Sequence, residues 1–156
     1  MRRKEREIID FEKMVHFLDR CDCCRLGLSD GETPYIVPLN FGWVAENGLL
    51  TLYFHCAAEG KKLDLIRKNR IVSFEADCLH EPVTGDTACR YSFRYACIMG
   101  QGMIRTASTV DEKRKGLTAV MAHYAPDYTP VFSEKQIGCV TVLILEVSEW
   151  TCKANL

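Results

Sequence analysis

The run Arg25-Leu-Gly-Leu-Ser29, Asp30-Gly31, Tyr35-Ile-Val-Pro-Leu-Asn-Phe-Gly-Trp43, Asn47-Gly48, Leu49-Leu-Thr-Leu-Tyr-Phe-His55 decides the fold. Asp-Gly and Asn-Gly are hairpin-turn pairs, because they accept the positive φ that tight turns demand. Around them stand three apolar runs of strand length, rich in β-branched and aromatic residues. Three strands joined by two short turns read as an antiparallel meander and not as βαβ units. Pro38 has no N–H to give to a ladder, so its strand is expected to lie at an edge or to carry a bulge.

Outward from this run the pattern stays mainly β. Upstream, Phe11, Met14, Val15 and Leu18 fall at i, i+3, i+4 and i+7, which makes one apolar helical face. Asp10 stands in position to cap that helix. Downstream, Glu59 to Lys68 reads as a short helix whose narrow apolar face is Leu63 and Ile66. Arg70 to Glu75 is a fourth strand. Residues 78–88, with Pro82 and Gly85, read as a loop. A long strand is expected from about Arg90 to Ala107, with Gly100 and Gly102 marking a bend or bulge. Thr109 and Glu112 form a capping box. The helix it opens is expected to bury Leu117, Val120, Met121 and Tyr124. Gly116 costs that helix roughly 1 kcal/mol against Ala, so packing must hold it. Pro126 and Pro130 break the chain, and Cys139 to Glu149 is the last strand. About six strands and three helices result. Their natural packing is one domain, residues 1–156, built as a small antiparallel barrel with peripheral helices.

The chain has 156 residues, 47% of them apolar and 26% charged, as in soluble globular domains. Lys and Arg number 20 against 21 Asp and Glu, a net charge of -1. No broad basic field exists, which argues against nucleic-acid binding. No apolar run approaches a membrane span. The basic N-terminus is interrupted by acidic residues and no apolar signal core follows, so a cytoplasmic protein is expected. The cysteines number 9. That is odd, and with no export signal thiols are the expected state. Cys21 and Cys24 form a CxxC without the second pair that a structural zinc wants. Buried thiols acting as small apolar groups are one reading, and metal or redox chemistry at Cys21 and Cys24 is the other.

Several standard chemistries are missing. Gly100-Gln-Gly102 lies within a strand and lacks the rest of a dinucleotide fingerprint. There is no P-loop and no GxSxG, and His80-Glu81 lacks a metalloprotease's second His. One segment stands out, Phe54-His-Cys-Ala-Ala-Glu-Gly-Lys-Lys62, where a strand ends, a tight connection follows and a helix begins near Gly60. Lys61 and Lys62 then fall in the first turn, where the helix dipole disfavours cations. A phosphate shared with the free backbone N–H groups would explain them. An ordinary solvated lysine pair would also do so. His16, His80 and His123 read as surface or capping residues, Trp43 and Trp150 as core or interface aromatics. Arg90 to Tyr95 reads as an edge or interface strand.

The order of blocks (helix, CRLGL strand, PYIVPLNFG, LTLYFH, EGKKLDLIRKN, VSFE) resembles the pyridoxamine 5'-phosphate oxidase-like flavoproteins, and within them the nitroimidazole-resistance branch. The likeness runs over nearly the whole chain and is most specific at Tyr35 to Gly42 and His55 to Leu65. It implies an antiparallel split β-barrel that forms a homodimer, with FMN in clefts between the subunits. Val37, Pro38, Leu39 and Asn40 would line the flavin edge, largely through backbone groups. Lys61 and Lys62 would bind the phosphate, and His55, near the ring, would be the reactive residue. Tyr91 and Ser92 would reach the cleft from the partner. No metal is implied. The expected activity is that of an FMN-dependent small reductase with a ping-pong mechanism and a small-molecule electron acceptor. A protein of the same fold that holds FMN or haem without turnover is the alternative. Two positions depart from the usual pattern. Cys152 replaces a Gly in Trp150-Thr-Cys152-Lys153, which would strain a turn that needs positive φ and would disturb any contact of Lys153 with the flavin. Arg70 replaces the usual Pro.

Overall fold

The computed structural model describes residues 3–156, so the first two residues of the basic N-terminus lie outside the described residues. The chain runs β1 (Glu7–Ile8), α1 (Phe11–Asp19), β2 (Cys24–Asp30), β3 (Thr33–Leu39), β4 (Phe41–Glu46) and β5 (Leu49–Cys56). It continues through α2 (Lys61–Lys68), β6 (Ile71–Val83), β7 (Ser92–Thr106), α3 (Val110–Tyr124), α4 (Glu134–Gly138) and β8 (Thr141–Asn155). All strand pairs are antiparallel, in the order β3-β2-β6-β7-β8-β5-β4, with β1 on β8.

The expected middle strand of the meander is in fact two strands. Tyr35 to Leu39 pairs with β2, while Phe41 to Trp43 pairs with β5. The two halves lie at opposite ends of the sheet, yet only Asn40 separates them. Two trans peptide steps span at most about 7.6 Å. The sheet must therefore curl until its edges meet at Asn40, while β3 and β4 beyond it do not pair with each other. That shape is a split antiparallel barrel. Pro38 sits on an edge strand, as expected.

The barrel interior follows from strand alternation. Leu26 and Leu28, Leu52 and Phe54, Val72 and Phe74, Ile98 and Ile104 all point inward and are buried. Helix α1 is capped by Asp10, whose carboxylate accepts the Lys13 N–H at 2.9 Å, and it adds Met14, Phe17 and Leu18 to the core. Helix α2 adds Leu63, Leu65 and Ile66. Among the described residues no helix is long and apolar enough to cross a membrane.

Several sequence expectations change. Residues 78–88 are not all loop, because β6 runs on to Val83 and Pro82 pairs with Phe93. Leu79 and His80 make this possible, since their positive φ values of 83° and 39° turn the backbone through a bulge after which the ladder resumes. The bulge expected near Gly100 and Gly102 exists, but its extra residue is Ser148 on the facing β8, whose hydroxyl donates to the Gln101 carbonyl at 3.0 Å. Strand β8 continues past Glu149 to Asn155. Helix α4, capped by a Ser133–Gln136 box, was not expected.

The buried face of α3 is Gly116, Ala119 and Val120, while Leu117 and Met121 are half-buried and Tyr124 is exposed. The reason is close approach. A Cβ on Gly42 would stand 2.2 Å from the backbone of Ala119 and Val120. The α3 backbone thus lies directly on β4, and only small residues fit between. Gly42→Ala should destabilise the fold by about 1–3 kcal/mol or more through overpacking. Gly27→Ala, whose Cβ would meet Ser73 only at 3.8 Å, should be near neutral. Urea unfolding of the two variants checks the contrast.

The capping box of α3 also sets a pH dependence. The Thr109 hydroxyl accepts the Glu112 N–H at 3.1 Å, and the Glu112 carboxylate accepts the Ser108 N–H at 2.7 Å. Hydrogen bonds from the Ser108 backbone and hydroxyl, and then from Arg105, hold the Glu112 carboxyl down at about 2 from its ordinary 4.5. A depressed folded-state pKa stabilises fully above the unfolded value and less as pH falls through the folded one. This contribution is present above pH 4.5 and lost between 4.5 and about 2. Glu112→Gln should flatten the fall of melting temperature over that window.

Candidate functional site

Among the described residues strand β3 pairs only with β2, so one side of its backbone, from Thr33 to Leu39, has no strand partner there. Val37, Pro38 and Leu39 lie along this edge, and Asn40 ends it. Val37 and Leu39 pack half-buried against the core, while Pro38 and Asn40 are exposed. Across the opening, β5 ends at His55 and Cys56. One step beyond the Phe41–Phe54 pair, the register sets Asn40 opposite His55, which is exposed.

Helix α2 begins at the far end of the same edge. Its N-cap is Gly60 with φ of 137°, a conformation open to glycine and strained for other residues. No side chain caps α2, whereas Asp10, Thr109 and Ser133 cap α1, α3 and α4. Lys61 and Lys62 open the helix and diverge. The Lys61 ammonium lies 2.6 Å from the Asp30 carboxylate and 4.9 Å from the centre of the Tyr35 ring. Hydrogen bonding to Asp30 raises its pKa. Lys62 is half-buried on the Cys56 side. Burial pushes the Cys56 thiol up, and the Lys62 charge opposes that push.

The structure therefore gathers Val37, Pro38, Leu39, Asn40, His55, Lys61 and Lys62 around one edge. It does not gather Tyr91 and Ser92. Ser92 pairs with Val83 and accepts from the Asn155 amide at 3.3 Å. His55 pairs with Val142, at the opposite end of β8 from Asn155. Along an extended strand that is roughly 40 Å.

Three residues hold the opening in shape, and one of them overturns a sequence expectation. His123 is not a surface residue, since its side chain is only 3% exposed. The Trp43 indole N–H donates to its Nδ1 at 3.2 Å, and its Nε2–H donates to the Cys21 carbonyl at 2.7 Å. These bonds require the Nε2–H tautomer. The next residue, Tyr124, accepts the Phe41 N–H at 3.2 Å and donates to the Asp22 carbonyl at 2.8 Å. The end of α3 thus staples the start of β4 to the segment before β2. Only the position of His123 four residues from the buried Ala119 hinted at this in the sequence.

The cysteines follow the apolar reading at most positions. Cys21 and Cys24 are buried, and burial raises both thiols. Cys21 donates to the Phe17 carbonyl at 3.2 Å. Cys23 and Cys97 are partly buried, while Cys89 and Cys139 are exposed. Among the described residues no three or more His, Cys, Asp or Glu side chains gather as a metal site. Cys152 is not in a strained turn, because it lies buried within β8 opposite Ile98. Lys153 sits over the Tyr95 ring at 5.7 Å, away from His55.

A family model described as pyridoxamine 5'-phosphate oxidase matches residues 10–154. The fold is similar to that of a candidate 5-nitroimidazole antibiotic resistance protein from Bacteroides thetaiotaomicron, at 31% identity and a TM-score of 0.82, over 95% of this chain and 86% of that one. It is also similar to an FAD and heme binding protein from Mycobacterium smegmatis, at 19% identity and a TM-score of 0.82, over 96% of this chain and 73% of that one. A flavocytochrome from Azotobacter vinelandii has 19% identity and a TM-score of 0.78, over 100% of this chain and 72% of that one. At 19% these last two bear on the fold alone. No curated protein matches the chain.

The staple is testable apart from any ligand. Tyr124→Phe removes the acceptor of the Phe41 N–H and the donor to Asp22, and should cost about 1–2 kcal/mol. A lower urea midpoint with an unchanged m-value is the expected result.

Proposed function

The chain belongs to the pyridoxamine 5'-phosphate oxidase family, and on that premise we propose that it is a cytoplasmic FMN-dependent oxidoreductase. We read it as a small reductase of the nitroimidazole-resistance type, working in the cleft of a homodimer. The observation that carries this reading is the uncapped α2 N-terminus, with its two lysines, at one end of the unpaired β3 edge. FMN needs both features. Its phosphate suits backbone N–H donors and ammonium groups. Its planar ring offers hydrogen-bonding groups along one edge, which a strand with free backbone groups can match. From Tyr35 to Asn40 the edge runs roughly 16 Å, so the two features serve one elongated ligand.

In this reading the start of α2, where Lys61 and Lys62 stand, receives the phosphate. Val37 and Pro38 line the ring edge, and backbone groups near Leu39 and Asn40 bond to it and favour negative charge there. His55, exposed at the ring end, holds a proton for the acceptor. A bound flavin supplies the exchange of hydride or electrons, and the protein supplies orientation and electrostatics. The relative at 31% identity favours a nitro compound as one acceptor, a small molecule in any case.

Tyr91 and Ser92 enter from the second subunit, since one chain keeps them far from His55. In this reading that subunit sits on the outer face of β3, β2, β6 and β7. There Ile36, Ile71, Met99 and Met103 are exposed around Gly27 and Ser73. Helix α3, which packs on β4, β5 and β8, leaves this face uncovered.

The test is an absorbance spectrum taken after adding FMN and desalting. Retained flavin bands in a protein of dimer mass are expected, and Lys61→Ala with Lys62→Ala should lose them while staying folded. Full flavin occupancy in the double variant would overturn the phosphate assignment. A bare spectrum, or a Soret band in place of flavin, would overturn the cofactor.

A further inference from the structure

The two lysines of the α2 N-terminus are not equivalent. Lys61 is held by Asp30 at 2.6 Å and by the face of Tyr35 at 4.9 Å. An ammonium has three donors, and one of them is already spent on a full negative charge. Lys62 has no ion pair among the described residues. Asp64, the acid in the first turn, is taken by Arg67 at 2.7 Å. Glu59 is exposed just before the helix, where solvent screens it. Asp30 itself is firmly placed. It closes the β2–β3 hairpin opposite Thr33, and Gly31 follows with φ of 65°.

Resting on the flavin-phosphate reading above, we propose that Asp30 sets the phosphate selectivity of the site by neutralising Lys61, which leaves Lys62 as the lysine that carries the phosphate. Lys61, Lys62 and Asp30 together present a single positive charge. A phosphate monoester carries about -1.5 to -2 near neutrality, whereas each phosphate of a diester or pyrophosphate linkage carries one charge. The uncapped helix start adds about half a positive charge, so Asp30 lowers the cradle from about 2.5 to about 1.5 positive charges and trims its preference for the monoester of FMN over a singly charged phosphate. Asp30 is thus a positioning and selectivity residue that acts through Lys61 and touches neither ring nor reacting atoms.

The experiment measures the affinity of FMN, FAD and riboflavin for the full chain and for Asp30→Asn, at low and high salt. Asp30 is the last residue of β2, paired with Thr33 and outside the Gly31-Glu32 turn, so an isosteric Asn fits its extended backbone and the variant keeps its fold. Asp30→Asn is expected to tighten FMN by about fivefold at low salt and less at high salt, as for an exposed charge pair. FAD should gain less, and riboflavin, which has no phosphate, should not change. Lys61→Ala alone should weaken FMN much less than Lys62→Ala does. In the Asp30→Asn background Lys61→Ala should cost as much as Lys62→Ala. Equal effects on all three ligands, an unchanged FMN affinity, or a Lys61→Ala cost that ignores Asp30 would each overturn the role of Asp30 while leaving the flavin site standing. Wild-type protein that binds FMN no better than riboflavin would overturn the phosphate cradle, and with it both readings.

Discussion

The architecture depends on one short covalent link. Strands β3 and β4 occupy the two ends of the sheet path, and Asn40 alone joins them. A chain cannot place its sheet edges far apart and also connect them by one residue, so the barrel must curl. It also cannot close, because beyond Asn40 the two strands pair in opposite directions, β3 with β2 and β4 with β5. Closure normally removes exposed edges. Here the link forces the edges together at one point and leaves the rest of β3 open. That open backbone is the feature on which a ligand site can be built.

An open edge is useful only if its geometry is held. The side chains that hold it come from the end of α3, where His123 and Tyr124 bond to backbone groups on both sides of the split. They reach that far because α3 lies flat on the sheet, and it lies flat because Gly42 has no side chain to lift it. A missing Cβ on β4 is thus linked, through the position of a helix, to the separation of two strand edges. The same economy explains why the buried face of α3 is small. Bulky inward residues there would raise the helix and pull His123 and Tyr124 off their acceptors.

Much of the fold was legible in the sequence because it is local. Asp30-Gly31, Asn47-Gly48, the Asp10 cap and the Thr109–Glu112 box each lie within a few residues of the element they shape. What was not legible is what depends on distant partners. The run from Tyr35 to Trp43 announces an edge through Pro38, but nothing within it says that its two halves pair with different strands. Leu79 and His80 carry no glycine, although they adopt positive φ. His123 looks like any histidine near a helix end until Trp43 and Cys21 are brought to it by the fold. At the site, the lysine pair stood out because it violates the helix-dipole preference, and His55 because it ends the strand just before. The Lys61–Asp30 contact was invisible, since it joins a helix to a hairpin far away in the chain.

That contact sharpens the electrostatic argument. Two cations at a helix N-terminus oppose the dipole and each other, and burial would worsen both effects. Asp30 relieves this strain for Lys61 within the protein itself. Lys61 therefore no longer needs an external anion to account for its position. Lys62 has no ion pair among the described residues and sits half-buried beside an uncapped helix start. The sequence offered two lysines of equal weight as evidence for a phosphate. On the proposed reading that weight falls on Lys62 and the free N–H groups behind it. An anion there would meet fewer groups than the sequence promised, but ones that no other described residue of the protein engages.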